Sequence, residues 1–133
     1  MTRQILLPAS VLREMRETFN VGRIVLRRAL NYEHNSKRAT ALRVAALERG
    51  GLIYTGERAP RGYCPNVETR YDHVRGMMYQ NIGNRVQLQI NRETNAASII
   101  IDHEPVATFN DMTIGTWSDV LYSLQKIHNQ LNA

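Results

Sequence analysis

The side chains able to do chemistry in this 133-residue chain fall into two groups that point to different activities. The first is cationic. Residues 1–50 hold ten basic side chains (Arg3, Arg13, Arg16, Arg23, Arg27, Arg28, Lys37, Arg38, Arg43, Arg49) against four acidic ones (Glu14, Glu17, Glu33, Glu48). Residues 51–133 hold seven basic and eight acidic, so the formal net charge of +5 originates wholly in the first 50 residues. Such a surplus attracts a polyanion, or it merely solvates the outer faces of helices. The second group is Asp102-His103-Glu104, with Asp111 following. Adjacent carboxylates and an imidazole could do acid–base work in a small enzyme. Successive residues of a hairpin point in different directions, however, which favours a solvated loop.

Other reactive types are sparse. His34, His73, His103 and His128 share no metal-ligand spacing. Cys64 is the only cysteine, which forbids an internal disulfide or a cysteine-based zinc cluster within one chain. No glycine-rich phosphate loop is present, since Gly50-Gly51 reads as a helix stop. No metal, cofactor or small-molecule effector is implied, and no catalysis is expected.

The elements that must position these groups follow from periodicity. Val11, Leu12, Met15 and Phe19 repeat at helical spacing after Ser10, an expected N-cap, and Val21-Gly22 interrupts the pattern. Val25, Leu26, Ala29 and Leu30 form a second apolar face, stopped by Asn31 to Asn35. A third helix is expected after Ser36, with Ala39, Leu42, Ala45 and Ala46 inward, ending at Gly50-Gly51. Three helices in about forty residues, the first two joined by a tight turn, match the helix-turn-helix pattern. Residues 52–76 are rich in Gly, Pro and Arg and are expected to be a linker or long loop. From Met77 the period becomes two: Val86, Leu88 and Ile90 alternate with Gln87, Gln89 and Asn91. Turns at Gly83-Asn84, Arg92 to Asn95 and Asp102-His103 imply an antiparallel meander of three or four strands. Trp117, Val120, Leu121, Leu124, Ile127, His128 and Leu131 make the clearest amphipathic helix, with Thr116 or Ser118 as its expected cap.

Apolar residues make up 43% and charged residues 22%, an ordinary globular composition that excludes wholesale disorder. The length allows one domain or two small modules. No apolar stretch approaches the roughly 18 residues of a membrane helix, and the N-terminal apolar run is too short for a signal peptide. A cytoplasmic protein in a reducing compartment is the expectation.

The segment Asn20-Val21-Gly22-Arg23-Ile24-Val25-Leu26-Arg27-Arg28-Ala29-Leu30-Asn31, followed by Ser36 to Gly50, resembles the helix-turn-helix DNA-binding headpiece of the LacI family. That family's turn and recognition helix usually run Gly-Val-Ser-x-x-Thr-Val-Ser-Arg-Val-Leu-Asn. Val21, Arg28, Leu30 and Asn31 coincide, and Leu26 and Ala29 replace valines. The likeness covers about forty residues. Asn20 stands for the turn glycine, a mild change because Asn tolerates the left-handed conformation. Arg16 stands for a small alanine where the two helices touch, and is expected to splay them or shift their register. The family's hinge helix and sugar-binding domain have no counterpart.

The resemblance implies double-stranded DNA binding, with the second helix in the major groove. It puts Arg23, Ile24 and Arg28 at base-reading positions: Arg28 can pair bidentately with guanine and Ile24 can meet a thymine methyl. Arg27, Asn31, Tyr32, Lys37 and Arg38 would bind phosphate. A solvated or helix-pairing arginine is the competing explanation of Arg28, and of Arg23. The expected fold is α+β: a helix-turn-helix module over 1–51, a linker over 52–76, and a meander with a C-terminal helix over 77–133. The last unit is marginal in size, so it is expected to pack on the helices or to mediate dimerisation or partner binding. A transcriptional regulator or mobile-element accessory factor, acting as a homodimer, follows. The rivals are a protein-interaction adaptor that uses the helices as architecture, and the small enzyme built on Asp102 to Glu104.

Overall fold

A short apolar strand with burial on both of its faces organises the chain. The computed structural model describes residues 1–110 and 112–132. Strand β1 (Gln4–Leu6) pairs antiparallel with β2 (Leu52–Tyr54), with Ile5 opposite Ile53. Side chains alternate across a strand, so Ile5 and Leu7 enter one apolar core while Leu6, Leu52 and Tyr54 join another. Helices α1 (Ala9–Phe19), α2 (Arg23–Leu30) and α3 (Lys37–Glu48) lie between β1 and β2 in sequence and build the first core around Met15, Leu26, Leu30, Leu42 and Ala46.

The second core lies under a five-stranded sheet of β3 (Glu68–Asp72), β4 (Met77–Ile82), β5 (Val86–Asn91), β6 (Ala97–Ile101) and β7 (Glu104–Phe109). Their order in the sheet is their order in the chain, and every pairing is antiparallel, so the meander expectation holds with one strand more. Met78, Ile82, Val86, Leu88, Ile90 and Ile99 point to the same face and pack against Val120, Leu121, Leu124 and Ile127 of α4 (Ile114–Leu131). Asp102 and His103, both with positive φ (51° and 69°), make the two-residue hairpin loop. Asn95 adopts the left-handed conformation at φ 59°. In β7, Ile99 faces Ala107 while Ile100 faces Pro105, which leaves Val106 as an extra residue in a bulge. Pro105 is tolerated there because β7 is an edge strand.

The α+β class and the order of helices, meander and final helix are as the sequence implied. Details differ. The stretch 52–76, expected to be a linker, contains β2 and β3. Its first part, residues 53–59, is fastened by one row of α4 side chains spaced three or four apart. Gln130 donates to the Ile53 carbonyl (2.9 Å) and accepts from its N–H (3.1 Å). Lys126 pairs with Glu57 (2.8 Å), the buried Ser123 hydroxyl accepts from the Gly56 N–H, and Asp119 accepts from the Ala59 N–H. Helix α4 is capped by Thr113, three residues before Thr116, and the two side chains bond reciprocally to each other's backbone N–H. Helix α1 begins after Pro8, which places Ser10 inside its first turn rather than at the cap.

Gly51 joins α3 to β2 where the chain has no room. A Cβ there would lie 2.7 Å from Ile5 Cγ2 and 2.8 Å from the Ala46 carbonyl oxygen. Because one of those atoms is backbone, Gly51→Ala is expected to lower the unfolding free energy by about 1–3 kcal/mol, measured by urea denaturation. An unchanged midpoint would show that the ribbon is not held against α3 in this way.

Candidate nucleic-acid interface

The turn between α1 and α2 is three residues long. Asn20 terminates α1 in the left-handed conformation (φ 50°, ψ 52°), its N–H donating to the Arg16 carbonyl. Val21 is buried in the helical core, and Gly22, in extended backbone, precedes the first turn of α2. Helix α2 turns Leu26, Ala29 and Leu30 inward against α3, which answers with Ala39, Leu42, Ala45 and Ala46. That leaves Arg23, Ile24, Val25, Arg27 and Arg28 at the surface. Val25, expected on the apolar face, is 43% exposed.

The surface of α2 divides into three. Ile24 and Arg28, four residues apart, share its outermost ridge. Arg23, Arg27 and Asn31 occupy the flank toward α1 and β1, where they line a cleft of about 330 Å3. On the other flank Arg28 meets Arg38 across a groove of about 200 Å3 between α2 and α3. Lys37, next to Arg38, is exposed in the first turn of α3. The candidate base-reading residues Arg23, Ile24 and Arg28 therefore lie on one accessible helix, with Arg27, Asn31, Lys37 and Arg38 around it.

Their electrostatics are unbalanced. Among the described residues, the side chains of Arg23, Arg27, Arg28, Lys37 and Arg38 enter no ion pair; the pairs present engage Arg49, Arg75, Arg85 and Lys126 instead. Neither α2 nor α3 has an acidic residue in its first turn, and both begin on a cation, Arg23 and Lys37. A helix N-terminus carries a partial positive charge, so a cation there is mildly unfavourable, and an arriving anion relieves both.

Tyr32 differs in kind from its neighbours. It adopts positive φ (60°), is half-buried, and its ring lies beneath two guanidiniums, Arg3 at 4.5 Å and Arg43 at 4.9 Å from its centroid. Arg43 also donates to the carbonyls of Ala29 (2.9 Å) and His34 (2.7 Å), holding the end of α2 and the loop after it. Arg49 bonds Glu14 on α1 and covers Phe19. Part of the basic surplus thus binds the helices together. Sequence spacing gave no sign of these roles, because each joins residues distant along the chain. Arg16 is the exception: it interrupted the resemblance, and it lines the cleft between α1 and α2.

The remaining candidates are accounted for by local contacts. The Asp102 carboxylate is held by Arg85 through two 2.7 Å hydrogen bonds, which push its pKa below the usual carboxylate range. His103 and Glu104 are exposed beside it, and Asp111 lies outside the described residues. Among the described residues no group of three His, Cys, Asp or Glu side chains could hold a metal ion. Cys64 is exposed and free. The apolar faces of the meander and α4, on which self-association was expected to rest, are packed against each other within the chain. No helix among the described residues is long and apolar enough to cross a membrane. Comparison of the chain with protein-family models, curated proteins and solved structures finds no match.

Two outcomes follow. Because left-handed backbone is costly for a β-branched residue, Asn20→Val is expected to lose about 1–2 kcal/mol while Asn20→Gly keeps the fold, both read from urea midpoints. The Asp102 pKa is lowered by Arg85, so the pair stabilises the protein above the usual carboxylate range, and that contribution disappears as pH falls through the lowered value. Asp102→Asn, which suits the same turn, should flatten the acid limb of a stability–pH profile taken below about pH 5.

Proposed function

We propose that residues 1–51 bind double-stranded DNA through α2, and that the protein is a small transcriptional regulator or mobile-element accessory factor. The observation that carries this is the row of cations on the exposed face of α2 and the first turn of α3, none in an ion pair among the described residues, with Arg23 and Lys37 at the positive ends of the two helices. With α2 in the major groove, Arg28 and Ile24 on the ridge, and Arg23 at the helix start, address base edges. Arg27 and Asn31 on one side, and Lys37 and Arg38 on the other, address phosphates. Tyr32 contributes on the phosphate side, carrying Arg3 on its ring. The likeness of Asn20 to Gly50 to the LacI-type headpiece supports the same docking. Two copies bound about a twofold axis would reach successive grooves, which a single short helix cannot do.

A second reading, an interaction adaptor, is favoured by the sheet face opposite α4. There Tyr79, Asn81, Gln87, Gln89 and Asn91 are half-exposed, and their amides bond one another, Gln87 to Asn81 at 2.9 Å and Gln89 to Gln87 at 2.8 Å.

Fluorescence anisotropy with a random-sequence duplex at several salt concentrations separates the two. DNA binding predicts a log–log slope of about −4, as four to five phosphates are neutralised. On a selected site Arg28→Ala should cost about 1–3 kcal/mol and relax one base preference, whereas Lys37→Ala should weaken all duplexes alike. Absence of binding at low salt, or binding indifferent to both substitutions, would overturn the reading.

A further inference from the structure

The cleft between α1, α2 and β1 joins an apolar floor, which DNA binding does not use, to arginines that it does. Its floor is apolar: Leu6 from β1, Leu12 from α1, Leu26 and Leu30 from α2, and Val106 from the bulge of β7. Three arginines, Arg16, Arg23 and Arg27, contribute to its lining, and no carboxylate does among the described residues. None of the three enters an ion pair among the described residues. Arg16, half-buried on α1, forms part of the cleft's lining. At about 330 Å3 the volume sits at the lower end of ligand-binding pockets. A cavity of about 150 Å3 already takes one benzene ring.

The geometry points to this cleft as a binding site for a small apolar carboxylic acid, whose hydrocarbon body covers the leucine floor and whose carboxylate pairs with Arg16 and with Arg23 or Arg27. A planar guanidinium receives a carboxylate through two parallel hydrogen bonds. An apolar body without the acid group would leave three cations unanswered, and an inorganic anion would leave the floor wet. Both halves of the lining therefore select an amphiphile with one acid group. Arg23 and Arg27 are also proposed DNA contacts, so the acid and the duplex exclude one another. That exclusion rests on the DNA reading; the binding of the acid does not.

The test uses the full chain with methyl-labelled leucine and valine, titrated with octanoate, 4-phenylbutyrate and, as the uncharged control, octanol. Saturable shifts confined to Leu12, Leu26, Leu30 and Val106, given by the acids and not by octanol, are expected. Arg16→Gln should weaken octanoate roughly tenfold or more while leaving duplex affinity unchanged. Val106→Phe, which fills the cleft from the sheet side, should abolish the shifts while a thermal melt verifies the fold. Equal binding of octanol and octanoate, no shifts at millimolar acid, or full binding by Arg16→Gln would each overturn the assignment. In a separate anisotropy arm, octanoate should displace duplex from the native chain and not from Val106→Phe. Acid binding without displacement would overturn the exclusion alone. A chain that binds acid and no duplex would overturn the DNA reading and leave the cleft assignment standing.

Discussion

Burial on both faces of a three-residue strand is the constraint from which the rest of the molecule follows. Ile5 and Leu7 must reach the helices and Leu6 must reach the sheet and α4, so β1 can lie only between them. Its partner β2 then has to return to the same plane after three helices, which fixes where α3 ends and why Gly51 tolerates no side chain. Neither half is large. Sharing one ribbon lets each complete its core on the other, which a unit of about fifty residues could do only marginally by itself.

The same economy governs charge. Arginines that close distances inside the module are engaged by carbonyls, carboxylates or rings: Arg43 by Ala29, His34 and Tyr32, and Arg49 by Glu14 and Phe19. Those on α2 and at the start of α3 are left in solvent and enter no ion pair among the described residues. Sequence counts treat the ten basic residues as one population, while the fold sorts them into fasteners and a surface.

What could be read from the sequence was local. The third helix showed its Ser36 cap and glycine stop, and the final helix showed its apolar stripe. The meander showed alternation between turn residues, and Asn20 and Asn95 stood where left-handed backbone was required. What escaped was non-local or short. Strands β1 and β2 have three residues each and pair across 45 intervening positions, too few residues to display a period. Strand β3 is almost wholly exposed, so its Glu-Thr-Arg-Tyr-Asp sequence carries no apolar signal. For the candidate interface, the sequence named the surface residues but not their division among a ridge and two flanks, which needs the direction of burial. Arg16 was visible as a departure from a pattern; that it lines a cleft could be seen only once β1 and Val106 closed its other sides.

The bonds from Gln130 to Ile53 bear on a hazard common to two-stranded ribbons. On the side of β2 away from β1, the Ile53 N–H and carbonyl face outward and would template a strand from another chain. The Gln130 amide, matching donor to acceptor and acceptor to donor, acts as a one-residue surrogate strand on that edge. A side chain at the far end of the polypeptide thereby shields the centre of the fold against sticky edge-to-edge growth into fibres, without lengthening the ribbon.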